Sequence, residues 1–231
     1  MNIELHAPRP FLNDAGELRL SMRPFTHEDR SDIVALHQDE RVRQLLIDDA
    51  PLDKAEVAHL FIERIQAYYL EHPGLGIWAA HRWQPLLSPE ELADPEVLAT
   101  FNDEALRAMS MPSPQFVGWF SLMRNADLPD ELEIGGRLLP QAWGSGLVLD
   151  GAEQLLDQAF DRLGQSHVWG ICHPDHRSVH HVLLTLGARH DGIRPCDGVA
   201  SRWFRINADT WQHARHVPRR TRQREALQHM P

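Results

Sequence analysis

The segment Leu139 to Phe160, LPQAWGSGLVLDGAEQLLDQAF, carries Gly144 and Gly146 between an apolar run and an amphipathic stretch. Such a turn opens a helix, and the first backbone N–H groups of a helix have no partner inside it. They lie at the positive end of the helix dipole. Glycine lets a ligand reach the backbone with no Cβ in the way. Together these features predict an anion site, most naturally for phosphate. Glu133 stands in the run ELEIGGRLL, directed opposite to Leu132 and Ile134 if that run is a strand. There it reads as a candidate base or as a solvated strand glutamate. Ser178 opens an apolar helical pattern and reads as a helix N-cap. His173, His176, His180 and His181 invite a metal, but only Asp175 accompanies them and no tetrahedral set is complete. No metal site is expected.

These residues need elements to hold them. Gly16 to Phe25 alternates as a strand, with Leu18, Leu20 and Met22 on one face. Thr26 caps a helix running to Gln38, with Asp29 three residues on. Asp53 to Glu71 is a second helix, stopped at His72-Pro73-Gly74. Leu75–Trp83, Gln115–Met123 and Glu131–Leu139 are strands, and a helix follows from Gly146 to Leu163. His167–His173 is a strand, Arg177–Leu186 a helix ended by Gly187, and Ala188–Ile193 and Val199–Ile206 are strands. The order β-α-α-β-β-β-α-β-α-β-β predicts a single α/β (α+β) domain over residues 1–206, a mixed central sheet flanked by helices. Strands around the Gly146–Leu163 helix can run parallel by a right-handed crossover.

Residues 84–114 break this rhythm. They hold Glu90, Glu91, Asp94, Glu96, Asp103 and Glu104 against Arg107 alone, with five prolines. They read as an acidic insertion between two strands, either a surface elaboration or a wall over a substrate site. Helix starts are expected near Ser88 and over Asp94–Met109. Residues 207–231 hold five arginines against Asp209 and Glu225, and read as a basic C-terminal helix or tail, solvated or disordered.

Composition bounds the partners. The chain has 231 residues, 42% apolar and 24% charged, which supports a core without disulfides. No apolar run reaches the ~20 residues of a membrane helix. The opening MNIELHAPRP lacks a signal peptide's basic and apolar regions. Cys172 and Cys196 are the only cysteines, which suits a cytoplasmic location. A net charge of −10 disfavours nucleic acid. No membrane partner is expected, and a homodimer stays open.

Three phosphate motifs compete for the glycine turn. A Walker loop fails because Leu147 and Val148 stand where Lys and Ser or Thr are required. The dinucleotide fingerprint fails because Leu149 replaces its third small residue. The pattern Gln/Arg-x-x-Gly-x-Gly/Ala of acetyl-coenzyme A transferases fits Gln141, Gly144 and Gly146. Around it, LRLSMRPFTHEDRSDI, LEIGGRLLPQAWGSGL and HPDHRSVHHVLLTLGA follow in order and spacing. Over roughly residues 16–206 the chain resembles the GNAT N-acetyltransferase superfamily, and within it the RimJ/RimL-type branch of ribosomal-protein N-terminal acetyltransferases.

That resemblance implies an acetyl-CoA-dependent N-acetyltransferase acting on a primary amine, either a protein N-terminus or a small molecule. Acetyl-CoA would be the co-substrate, held by Leu138, Leu139, Gln141, Ala142, Trp143, Gly144, Ser145, Gly146, His176 and Ser178. Glu133 would take the amine's proton, a backbone N–H near Leu138 would polarise the thioester, and Ser178 would protonate the departing thiolate. A terminal amine has a pKa of ~8, so only a modest base is needed at neutral pH. The chain departs from the branch at His176, which replaces Asn, at Leu147–Gly151, which replaces Tyr-Ala-Thr-Glu-Ala, and at Ala188, which replaces Phe. Two alternatives remain: a non-catalytic acyl-CoA-binding or ribosome-associated module on the same fold, and transfer of a longer acyl group.

Overall fold

The computed structural model describes residues 7–13, 16–48 and 50–230. A short strand β1 (Phe11–Leu12) precedes β2 (Leu18–Pro24), whose alternation buries Leu20 and Met22. The Thr26 N–H donates to Asp29 Oδ2 at 2.8 Å, and a 3-10 turn leads into α1 (Arg30–Gln38). The short α2 (Glu40–Arg43), which the pattern does not announce, is capped by Asp39. Then come α3 (Ala55–Glu71) and β3 (Gly76–Gln84). The acidic insertion holds α4 (Pro95–Thr100) and α5 (Asp103–Ser110). The helix expected over Asp94–Met109 is thus two, because Phe101 is extended and Asn102 caps the second.

The rest comprises β4 (Ser113–Arg124), β5 (Leu132–Leu138), α6 (Leu147–Asp157), β6 (His167–Cys172), α7 (Arg177–Thr185), β7 (Arg189–Cys196), β8 (Val199–Asn207), α8 (Ala208–Ala214) and α9 (Arg219–Gln228). Among the described residues one sheet runs β1-β2-β3-β4-β5-β6-β8-β7. All neighbours are antiparallel except β5 and β6. This is the expected mixed sheet.

The faces follow from the pleat. On β4, Phe120 lies against Gly151 of α6, while its neighbour Trp119 pairs across the strands with Arg137, which reaches His37 of α1. So α1 covers one face and α6 the other. Gly170 of β6 is in register with Ile134 and lies under Leu183, so α7 shares the α6 face. A Cβ on Gly151 would stand 2.2 Å from the Phe120 ring. That contact accounts for the glycine: the helix rests directly on an aromatic ring.

The C-terminal segment is not the solvated end its composition suggests. Trp211 of α8 is buried and donates to Asp157 at 2.9 Å. Arg215 pairs with Asp157 and Asp161, Arg219 with Asp150 and Glu153, and Arg222 with Glu153. Asp150, Glu153 and Asp157 of α6, with Asp161 of the π-helical turn that follows it, therefore neutralise three of the five arginines within the chain, while Arg220 and Arg224 stay exposed, and α9 packs on α7.

Candidate active site

The two parallel strands bring the expected residues to one end of the sheet. Pairing between β5 and β6 is limited to Glu133 with Trp169 and Ile134 with Gly170. Yet β5 continues to Leu138 and β6 to Cys172, so the strands part beyond that point. Leu139 donates to Val117 of β4 at 2.8 Å. Backbone direction alternates along a strand, so the N–H groups of Leu138 and Gly136 point the other way, into the gap. Since β5 and β6 are parallel, the helices that follow them, α6 and α7, both begin at the open end.

The glycine turn lies there. Gly144 and Gly146 have φ of 70° and 84°, a region that favours glycine, and nothing stands within 4 Å of a Cβ at Gly144. Among the described residues, no protein acceptor takes the N–H groups of Gly144 through Val148. The cradle is therefore open and rich in donors, which fits a pyrophosphate. Ser145 Oγ is turned back on the Ala142 carbonyl at 2.5 Å. Trp143 is half exposed and not a core residue; its Nε1 donates to the Leu138 carbonyl at 2.8 Å and braces the start of the turn. Arg19 of β2 donates to the Ser145 carbonyl from below.

Glu133 occupies the α1 face of β5, beside the point where the strands part. The Asn125 amide donates to its carboxylate. Burial raises the Glu133 carboxyl above its usual range; the Asn125 bond opposes this, and Asp197 and Asp127 push it further up. A carboxylate so placed is a stronger base than an exposed glutamate. On the same face the Arg137 side chain is only 8% exposed. Its Nη1 donates to His37 Nε2 at 2.7 Å, it pairs with Asp48, and it lies 5.0 Å from the Trp119 ring centre. His37 Nδ1 is 2.7 Å from the Ile33 carbonyl, so it carries the proton and leaves Nε2 to accept. Burial, with Arg137 adjoining, lowers the His37 pKa.

Ser178 is exposed and is the second residue of α7; the cap position belongs to His176, so the N-cap reading is wrong. The four histidines diverge. His173 Nδ1 accepts from the Asp175 N–H, His180 packs 4.8 Å from Phe204, and His181 approaches the Gln223 carbonyl of α9 at 3.1 Å. Among the described residues no three groups are placed to share a metal. Burial, with His173 nearby, lowers the His176 pKa, which leaves a ring able to donate one hydrogen bond and accept another. A cleft of about 1040 Å³ lies elsewhere, between α7, β8 and the C-terminal helices, and none of the expected site residues lines it.

Sequence reasoning missed Asn125, Arg137 and Arg19. Arg137 had a signal, since it is two steps of the pleat from Glu133 and interrupts an apolar strand. Arg19 had none, because its partners are remote in the chain, and Asn125 had none, because its bond to Glu133 across the β4–β5 connection follows no apolar period.

The chain belongs to the acetyltransferase (GNAT) domain family, whose pattern it matches over residues 19–189. It is 23% identical over 181 residues to the FsC-acetyl coenzyme A-N(2)-transacetylase of Aspergillus fumigatus. That match takes in 74% of this chain and 63% of that protein, so the chain spans less than two thirds of the relative's length. Among solved structures, it superposes on a proposed ribosomal-protein-serine acetyltransferase from Vibrio cholerae at a TM-score of 0.58 and 13% identity, covering 86% of this chain and 97% of that one. It superposes equally, at 0.58 and 13%, on the microcin C7 self-immunity acetyltransferase MccE in complex with acetyl-CoA and AMP, covering 84% and 93%.

Proposed function

We propose that the protein is an acetyl-CoA-dependent N-acetyltransferase that moves an acetyl group to a primary amine by direct attack. The observation that carries this reading is the parting of β5 from β6 immediately beside the partly buried Glu133, with the open glycine turn at the same end. Acetyl-CoA, when bound, supplies an activated acyl thioester. The N–H groups of Gly144–Val148 hold its pyrophosphate, with Gln141 and Ala142 shaping the turn. The Leu138 N–H donates to the thioester oxygen as negative charge develops there. Glu133 accepts the proton the amine gives up, directly or through water, as the C–N bond forms and the C–S bond breaks. Ser178, at the start of α7, returns a proton to the sulfur, and His176 holds the pantetheine arm. The acceptor is a protein N-terminus or a small amine; the three-block resemblance to the RimJ/RimL-type branch favours the former. The acids around Glu133 suit a cationic acceptor.

The test couples binding to turnover. Thermal shift with acetyl-CoA, desulfo-CoA and NAD should show stabilisation by the coenzyme A compounds only. Free thiol release in the presence of an amine and peptide panel should then identify the acceptor class. No shift with any coenzyme A compound would refute the reading of the turn. A shift without thiol release across the panel would instead favour a non-catalytic binding module.

A further inference from the structure

Asp150 is completely buried, one turn into α6, and it divides its two oxygens between two arginines from opposite ends of the chain. Arg219 of α9 donates to Oδ1. Arg19 of β2 brings Nε to 3.0 Å from Oδ2, a charge contact without hydrogen-bond alignment. The other arm of the same edge of Arg19, Nη2, donates to the Ser145 carbonyl and would lie 3.4 Å from a Cβ on Gly146. An arginine normally offers that Nε–Nη2 edge to a single carboxylate, both arms in parallel. Here the edge is split between a carboxylate and the backbone of the anion turn. The reason is on the other side of the carboxylate: Oδ1 is already taken by Arg219.

We propose that Arg19 is a positioning residue for the anion-binding turn and that α9, through Arg219, keeps it there. Without Arg219, the buried carboxylate has one cation for two oxygens. The Arg19 edge then closes on Asp150 in the ordinary bidentate geometry and Nη2 leaves the Ser145 carbonyl. The turn that presents the Gly144–Val148 N–H groups loses its support from below. The C-terminal helix, outside the span shared with the family, thereby governs how well this turn holds a diphosphate. The proposal rests on the reading of the turn as the coenzyme A site.

Coenzyme A titrated calorimetrically into full-length variants tests it. Arg219→Gln should bind about five- to tenfold more weakly than wild type, and Arg219→Lys should recover most of the loss by restoring a cation at Oδ1. Arg19→Gln should weaken binding similarly, and Arg19→Gln/Arg219→Gln should be no weaker than Arg19→Gln alone, since both act on one contact. Glu153→Gln supplies the control. It loosens α9 by removing the other partner of Arg219 and Arg222, so it should lower the melting temperature yet bind coenzyme A within about twofold of wild type. Additive losses in the double variant, or an equal loss in Glu153→Gln, would overturn the proposal in favour of general loosening of α9. Should Arg219→Gln fail to fold, Arg19→Gln and Glu153→Gln decide: unchanged affinity in the former also overturns it. Wild type that ignores coenzyme A would refute the cofactor reading itself, an outcome separate from all of these.

Discussion

At Glu133, stability and chemistry pull in opposite directions. Burial favours the neutral acid, so the folded pKa lies above the unfolded one. The fold therefore binds more protons than the unfolded chain. Its contribution is most favourable below the unfolded value and declines as pH rises through the folded one. At neutral pH the partly desolvated carboxylate costs stability, while as a base it is needed in that charged form. Glu133→Gln keeps an oxygen for the Asn125 amide and removes the charge. It should raise the melting temperature at pH 7 while lowering kcat by about 10²- to 10⁴-fold, the usual contribution of a positioned base. The acid limb of the kcat/KM profile should disappear with it. A variant that keeps both its rate and its acid limb would assign the proton to another group. The same residue shows what sequence can reveal. Its place on the strand and its direction followed from the period-two pattern, but its neighbours Asp127 and Asp197 come from a turn and a hairpin tip that no local pattern brings together.

Among the elements, α6 carries a residue that helix propensity alone would not choose. Alanine is the better helix former by about 1 kcal/mol, so Gly151 would ordinarily be a weakness. The Phe120 ring reverses that preference, because an added methyl would stand 2.2 Å from it. Gly151→Ala should therefore destabilise by about 1–3 kcal/mol, as overpacking does. Phe120→Leu combined with Gly151→Ala should recover part of the loss in chemical denaturation; a Gly151→Ala protein as stable as wild type would show that the helix shifts freely. Strands and helices of the central sheet were legible because their apolar periods are strong. The turn was legible because two glycines and an unpartnered helix start need no tertiary information. The docking of α8 and α9 was not. Arg215, Arg219 and Arg222 read as solvent-facing until Asp150, Glu153 and Asp157 of α6 and Asp161 just beyond it are seen opposite them. Ion pairs between segments some sixty residues apart leave no periodic trace, and a basic run then looks like a tail.

For the whole molecule, charge is divided between a C-terminal pair of helices in which three arginines are paired internally and an acidic insertion that remains outside the core. No residue of α4, α5 or the 3-10 turn before them is buried, and Leu86, Leu98, Phe101 and Met111 are exposed. The insertion hangs from the end of the sheet that bears the glycine turn, since Gly118 of β4 pairs with Leu138 and the strand runs on from there to Ser113. Gln84 and Ser113 are themselves partners in the ladder. A two-residue Asn-Gly turn can therefore join them directly, its backbone twist matching that of antiparallel strands. Replacing residues 85–112 by Asn-Gly should leave the melting temperature within about 3 °C of wild type, because almost no apolar area is lost from the core. If the insertion is a wall for a cationic acceptor, the shortened protein should retain coenzyme A binding while the acceptor KM rises, more at low ionic strength than at high, since salt screens exposed acids. An unchanged acceptor KM at both ionic strengths would make the insertion a surface elaboration. A lost coenzyme A response in a folded protein would place its contribution at the cofactor turn, where acids beside a diphosphate would otherwise be expected to repel.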